Sequence, residues 1–139
     1  MKSKVLLSLM LALLISPITQ AAEPTSNFPG IQKLMNQLGK DMSIAQSALL
    51  NEDHEQLAIS AVAIGEHPKA PLMERMKVMA SLLTDMSAFK AWDEKTHTAA
   101  KQLKAAAIAK DRQAETKAFV TITESCMGCH IQFRDRLKE

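Results

Sequence analysis

The chain has 139 residues and a formal net charge of +2. That length suits one small domain behind an export signal, and no cluster of basic residues suggests nucleic-acid binding. With four Phe, one Trp and no Tyr, the hydrophobic core must be mostly aliphatic.

The first segment predicts a secretory signal peptide. Lys2 and Lys4 precede an apolar run over residues 5–15, and small residues follow. The run is too short to span a bilayer, so we predict a signal peptide over residues 1–21, an exported domain over residues 22–139 and no membrane span after cleavage. Because two of the 17 basic residues leave with the signal, the exported domain has 15 basic and 15 acidic residues.

Apolar residues at spacings of three and four predict helices through nearly all of this domain. The first helix begins near Pro29, and its apolar stripe is Ile31, Leu34, Met35, Leu38, Met42, Ala45 and Leu49. Asn51 or Asp53 is expected to cap a second helix, which ends at Gly65.

The second half of the domain predicts a loop over residues 65–71 and three further helical segments. A short helix over residues 72–83 has the predicted apolar face Met76, Met79, Leu82 and Leu83. A long helix covers residues 86–109, and Asp111 is expected to cap the last one. The stripe of that last helix is Ala118, Phe119, Ile122, Cys126, Cys129, His130, Phe133 and Leu137. Since no stretch alternates with period two, we predict an all-α antiparallel four-helix bundle.

Both cysteines lie in the stretch Cys126-Met127-Gly128-Cys129-His130, which has the spacing of covalent haem attachment. On a helix, positions i, i+3 and i+4 project from one face. The two thiols can therefore reach the two haem vinyl groups while the imidazole reaches the iron. Gly128 either gives clearance beside the porphyrin edge or is a small residue in an irregular turn.

Three other interpretations of the cysteine pair are weaker. A disulfide across two residues closes a very small loop and stabilises little, and a thioredoxin-like dithiol opens a helix in a βαβ unit. A structural zinc site needs four ligands, and the remaining His54, His67 and His97 are each expected to be solvated surface side chains. We therefore predict one haem c, attached through two thioethers, with His130 as an iron ligand.

The stretch CMGCHIQFR near the C-terminus resembles the class II c-type cytochromes, the cytochrome c′ family. IQKLMNQLGKDM and AFKAWDEKTHTAAKQLKAAAIAKD are similar to the first and third helices of that family. The resemblance implies a four-helix bundle with haem bound near the C-terminal helix, and a residue of the first helix facing the other side of the iron.

The resemblance places Met35 at that distal position. Spacing alone does not rank Met35 above Met42, since both lie on one stripe where a methionine is commonly core filler. A methionine at this position implies a low-spin electron carrier, whereas a non-ligating side chain implies a five-coordinate protein that binds small gases. Many five-coordinate members have a basic residue one turn earlier, where this chain has Ile31.

Two more residues are assigned to the haem site. The resemblance implies that Arg134 packs beside the haem, where it would pair with a propionate or shield the imidazole; an ordinary surface arginine is the alternative. Phe133, like Phe119 and Phe89, is expected in the core, with Phe133 contacting the porphyrin.

Together these features predict a periplasmic one-electron carrier with His130 and Met35 as axial ligands. Its expected partners are periplasmic redox proteins, with the chain a monomer or a homodimer and no nucleic acid involved. The alternative is a five-coordinate protein that binds nitric oxide or carbon monoxide. No paired carboxylates or nucleophile–base couple points to an enzyme.

Overall fold

A computed structural model describes residues 27–138, and helices make up nearly all of that range. The predicted signal peptide over residues 1–21 lies outside the described residues. The described range contains five α-helices: α1 (Pro29–Leu50), α2 (His54–Gly65), α3 (Leu72–Leu82), α4 (Met86–Ala109) and α5 (Arg112–Phe133). Short 3₁₀ turns follow α3 and α5, over Leu83–Asp85 and Asp135–Leu137, and no strand occurs within residues 27–138.

The helix ends follow the local signals in the sequence. Pro29 occupies the first turn of α1, where its missing N–H costs nothing. The Asp53 side chain accepts a hydrogen bond from the Gln56 N–H at the start of α2, and Asp111 accepts one from the Ala114 N–H at the start of α5. The predicted caps at Asp53 and Asp111 are therefore confirmed.

Four of the helices form the predicted antiparallel bundle. α1 packs on α2, α2 on α4, and α4 on α5, whereas α1 and α5 touch only sparsely. The short helix α3 and its 3₁₀ turn lead into α4, as the sequence predicts. None of the helices between residues 27 and 138 combines the length and the hydrophobicity that crossing a bilayer requires.

The buried apolar residues form two clusters along the bundle axis. The larger, which we call the bundle core, comprises Ala45, Ala48, Leu57, Ala61, Ile64, Ala99, Ala100, Leu103, Ala107, Ala118 and Ile122. The smaller, which we call the end cluster, comprises Phe28, Val78, Leu82 and Phe133. Helix α1 runs from the end cluster to the bundle core, and α5 runs in the opposite sense, because the two helices are antiparallel.

The predicted apolar face of α3 is wrong in all but one residue. Only Leu82 of that face is buried, and Met76, Met79 and Leu83 are exposed. Helix α3 instead turns Glu74 inward, where its two carboxylate oxygens accept hydrogen bonds of 2.8 Å from the backbone N–H groups of Gly30 and Ile31. Those N–H groups open α1 and have no partner within that helix. Satisfying them fixes the rotation of α3 and leaves its methionines outside.

Candidate functional site

Helix α5 carries the three chemically reactive residues of the sequence motif, and its regular geometry extends through all of them. Cys126 and Cys129 are both unpaired thiols, and each is half-buried, as is His130. The spacing of three and four residues places their side chains on one side of the helix. The predicted position of the motif inside the last helix is thereby confirmed.

The two thiols lie at the junction of the two apolar clusters. Cys126 packs against the bundle core, and Cys129 packs against the end cluster, as Ile31 and Trp92 also do. A flat apolar group attached at both sulfurs would therefore lie along α5 at the level where the two clusters meet.

The electrostatic setting keeps the motif uncharged at neutral pH. Burial raises the pKa of the Cys126 thiol, and burial together with the charges of Cys126 and Asp93 raises the pKa of Cys129 to about 11. Burial, assisted by the positive charge of Arg134, lowers the pKa of His130. The neutral imidazole is the form that coordinates a metal.

His130 also has no competing partner. Within residues 27–138 its side chain takes part in no hydrogen bond or ion pair, whereas His54, His67 and His97 each do. A half-buried, neutral and unpaired imidazole next to two unpaired thiols fits the residue set that a covalently attached haem needs.

The apolar stripe of α1 is not covered by protein at the same level of the bundle. Ile31 packs against the end cluster and Met42 against the bundle core, so the stripe is in contact with other helices at both of these positions. Between them Leu34 and Leu38 are only half-buried, and Met35 is 40 % exposed. Ile31 and Cys129 pack against the same end cluster, and Met42 and Cys126 against the same bundle core, so the uncovered stretch of α1 and the thiols of α5 share one level of the bundle. The two helices contact each other only sparsely.

The packing of α1 distinguishes Met35 from Met42, which spacing in the sequence did not rank as candidate iron ligands. Met42 packs on the core, as an ordinary core methionine does, whereas Met35 does not. Among the other methionines, Met127 on α5 is 53 % exposed, and Met86 packs against the end cluster.

Arg134 and Phe133, the other two predicted site residues, lie at the C-terminal end of α5. The Phe133 ring is almost completely buried and meets Phe89 edge-to-face at a centroid distance of 5.5 Å. Its predicted place in the core is confirmed, and its contact with a porphyrin stays a prediction. Arg134 is exposed and acts electrostatically on His130, and its place beside a haem stays a prediction.

Of the two sequence interpretations of Gly128, the irregular turn is wrong, and clearance beside a porphyrin edge stays a prediction. Gly128 lies in regular helix rather than in an irregular turn, and it faces the indole ring of Trp92. The Trp92 Nε1–H donates a hydrogen bond of 3.0 Å to the Gln132 side chain, which fixes the ring across α5. The glycine therefore gives clearance to a protein side chain.

The expectation that the remaining histidines are solvated surface groups is wrong. The Nδ1 atom of His54 lies 2.6 Å from Oε1 of the buried Glu115. His67 and His97 are 15 % and 24 % exposed, and both rings lie beside the carboxylate of Asp93. Glu115 and Asp93 lie on different elements of the chain from His54 and His67, and Asp93 lies one helical turn from His97. The spacing of apolar residues in the sequence did not predict these contacts. That Asp93 carboxylate raises the pKa of His67, and His67 in turn lowers the pKa of Asp93.

Comparison with known proteins gives one informative result. The family model described as Cytochrome C' matches residues 26–134, which is most of the chain and includes α1 to α5. A search of curated proteins and a search of solved structures each give no significant match.

Proposed function

This chain belongs to the cytochrome c′ family of c-type haem proteins, and we propose that it is a periplasmic one-electron carrier. In the proposal, one haem c is attached through thioethers to Cys126 and Cys129, and the iron is held by His130 and Met35. Its partners are then periplasmic redox proteins. The proposal assigns no catalytic residue.

The thiols and the imidazole support the attachment. Each thiol would add across one vinyl group, so that a carbon–sulfur bond forms and the thiol proton goes to the other vinyl carbon. The adjacent His130, neutral and without a hydrogen-bond partner in the described chain, is free to donate its ring nitrogen to iron. When bound, the haem supplies the one-electron chemistry, and the chain supplies burial and axial ligands.

The observation that carries the low-spin assignment is the uncovered stripe of α1. An amphipathic helix gains stability by burying its stripe, yet Met35 is 40 % exposed at the level of the thiols, while Ile31 and Met42 on either side are packed. A thioether in that place is available to a group that fills the space between α1 and α5. Sulfur ligation favours ferrous iron and raises the reduction potential relative to a second histidine.

The surroundings of the site suit electron transfer. Phe133 and the rest of the end cluster exclude water from one side of the motif. Arg134 is exposed next to His130, where its guanidinium can pair with a haem propionate at the surface. Excluding water and holding the axial ligands rigidly would both limit the rearrangement of solvent and protein when the haem iron gains or loses an electron.

An absorption spectrum of the oxidised, haem-loaded protein tests the proposal. We expect a low-spin ferric spectrum with a sulfur-to-iron charge-transfer band, and slow or absent binding of carbon monoxide to the reduced protein. A high-spin ferric spectrum without that band, together with ready formation of a ferrous carbon monoxide adduct, would instead assign the chain to the five-coordinate gas-binding members.

A further inference from the structure

Two histidines and an aspartate come together on the side of α4, outside the haem motif. His67 lies in the loop after α2, and Asp93 and His97 lie one turn apart on α4. The Nε2 atom of His67 is 3.7 Å from Oδ1 of Asp93, and the Nε2 atom of His97 is 3.5 Å from Oδ2. One ligand atom from each of the three side chains lies within 4.8 Å of the other two.

Both imidazoles are oriented through their other nitrogen. The Nδ1 atom of His97 lies 2.5 Å from the carbonyl oxygen of Gly65, and the Nδ1 atom of His67 lies 3.2 Å from that of Pro68. A carbonyl oxygen only accepts, so each Nδ1 donates its proton to the backbone and Nε2 is the nitrogen of each ring that faces Asp93. A metal ion would take the place of any proton on that Nε2. A backbone carbonyl on the distant nitrogen is the usual support of a metal-bound histidine.

The position of Gly65 makes the support of His97 possible. A Cβ at residue 65 would lie 2.9 Å from the Cβ of Ala100, so the end of α2 approaches α4 more closely than another residue allows. The carbonyl oxygen of Gly65, at this close approach, is the one that accepts the hydrogen bond from His97. The orientation of the ring is therefore set by helix packing rather than by a mobile side chain.

We propose that His67, Asp93 and His97 form a binding site for a divalent transition-metal ion such as Zn²⁺, separate from the haem iron. Two imidazole nitrogens and a carboxylate oxygen are ligands that zinc accepts readily, and three protein ligands leave a fourth position for water. The half-exposed Asp93 carboxylate gives the ion an open side toward solvent.

The separations are somewhat longer than a bound tetrahedral ion requires. Metal–ligand bonds of about 2.0–2.1 Å place tetrahedral ligand atoms roughly 3.3 Å apart, whereas the Nε2 atoms of His67 and His97 lie 3.7 and 3.5 Å from two different oxygens of Asp93. The rings already stack with a centroid distance of 4.9 Å. A small rotation of His67, which lies on a loop, brings its nitrogen within reach of the same ion while α4 stays in place.

Zinc binding to the haem-loaded protein, with the signal removed, tests this site. In that form the thiols and His130 are engaged by the haem, so they do not compete for zinc. After treatment with a chelator and dialysis, calorimetric titration with Zn²⁺ at about pH 7.5 is expected to show one equivalent bound. Mg²⁺, which prefers all-oxygen sites, is expected not to bind.

Substitutions identify the ligands. His67→Gln, His97→Gln and Asp93→Asn are each expected to weaken zinc binding at least about tenfold. Gln at position 97 keeps a donor for the Gly65 carbonyl, and an unchanged haem spectrum and helical circular dichroism verify that each variant folds. The matched control is His54→Gln, which removes a histidine paired with Glu115 at the opposite end of α2 from His67 and is expected to leave zinc affinity unchanged.

Thermal unfolding gives a second, independent measurement. An ion that binds only the folded chain raises its melting temperature, so zinc should stabilise the wild type and His54→Gln but not His97→Gln. The proposal is overturned if the wild type binds no zinc, if the double variant His67→Gln/His97→Gln binds it as tightly as the wild type, or if His54→Gln lowers the affinity equally. None of these outcomes depends on the spin state of the haem, so the electron-carrier proposal is tested separately.

Discussion

Gly128, between the two cysteines, lies directly against the indole ring of Trp92. A Cβ at this position would lie 2.5 Å from Cη2 of that ring, far inside van der Waals contact. The contact joins α4 to α5 at the motif itself, and the bond from Trp92 to Gln132 holds the ring on the next turn of α5. The glycine thus sets the distance between the helix that carries the motif and its principal neighbour.

The substitution Gly128→Ala is therefore expected to destabilise the haem-loaded protein. Overpacking a fitted contact costs about 1–3 kcal/mol, which outweighs the roughly 0.5–1 kcal/mol that alanine contributes within a helix. Denaturant unfolding monitored by circular dichroism measures the difference. Gly39→Ala is the matched control, because nothing lies within 4 Å of a Cβ at that position of α1, and it should stabilise. Equal gains for both variants would contradict the role given to Trp92.

Replacing Met35 with alanine is expected to abolish the low-spin state while leaving most of the stability intact. In the folded polypeptide the Met35 side chain is 40 % exposed, so truncating it removes few contacts with other protein side chains. Met42→Ala is the control: that residue packs on the bundle core, and its loss should cost about 2–3 kcal/mol with the spectrum unchanged. Ferric absorption spectra and unfolding curves of both variants make the comparison. A low-spin spectrum that survives in Met35→Ala would place the sixth ligand elsewhere.

Truncation of Glu74 is expected to loosen the start of α1. Its carboxylate accepts the N–H groups of both Gly30 and Ile31, so Glu74→Ala leaves two donors without a protein partner and should cost about 2 kcal/mol. The control is Glu94→Ala on α4, an exposed glutamate for which the described chain shows no hydrogen bond or ion pair; it should change the free energy of unfolding by less than about 0.5 kcal/mol. Hydrogen exchange at the first turn of α1 should accelerate only in the Glu74 variant.

The contact between the side chains of His54 and Glu115 should contribute more to stability than a surface ion pair of equal length. Glu115 is 2 % exposed and His54 22 %, so His54→Ala leaves a buried carboxyl group without its hydrogen-bond partner at a cost of about 1–3 kcal/mol. Arg112 and Glu52 form an equally short pair of 2.6 Å, but their side chains are 68 % and 51 % exposed, and Arg112→Ala should cost less than about 1 kcal/mol. Thermal unfolding of the two variants shows whether burial or the length of the contact determines its contribution to stability. Equal losses of stability in the two variants would contradict the prediction.

The sequence predicted most of the structural features that depend on neighbours along the chain. The caps at Asp53 and Asp111 each act on an N–H three residues away, and the breaks at Gly65 and Pro71 delimit the observed loop. The same reasoning placed the two thiols and His130 on one side of α5. These interactions are completed within one or two helical turns, so residue type and spacing suffice to predict them.

Features that depend on distant partners were predicted less well. The spacing of apolar residues on α3 pointed to its methionines, yet the need to satisfy the first N–H groups of α1 turned Glu74 inward. Spacing also gave no reason to expect Asp93 between His67 and His97, because His67 approaches α4 only through the packing of α2.

For this protein, then, the sequence by itself determined the helices, the four-helix class and the shared helix face of Cys126, Cys129 and His130, because each rests on local hydrogen bonds and periodicity. The tertiary structure alone decided that Met42 packs on the core while Met35 stays uncovered at the level of the thiols, and that Gly128 makes room for Trp92. The physical reason is that burial is a property of the packed bundle: two methionines seven residues apart share one helix face, and only the neighbouring helices determine which of them is covered.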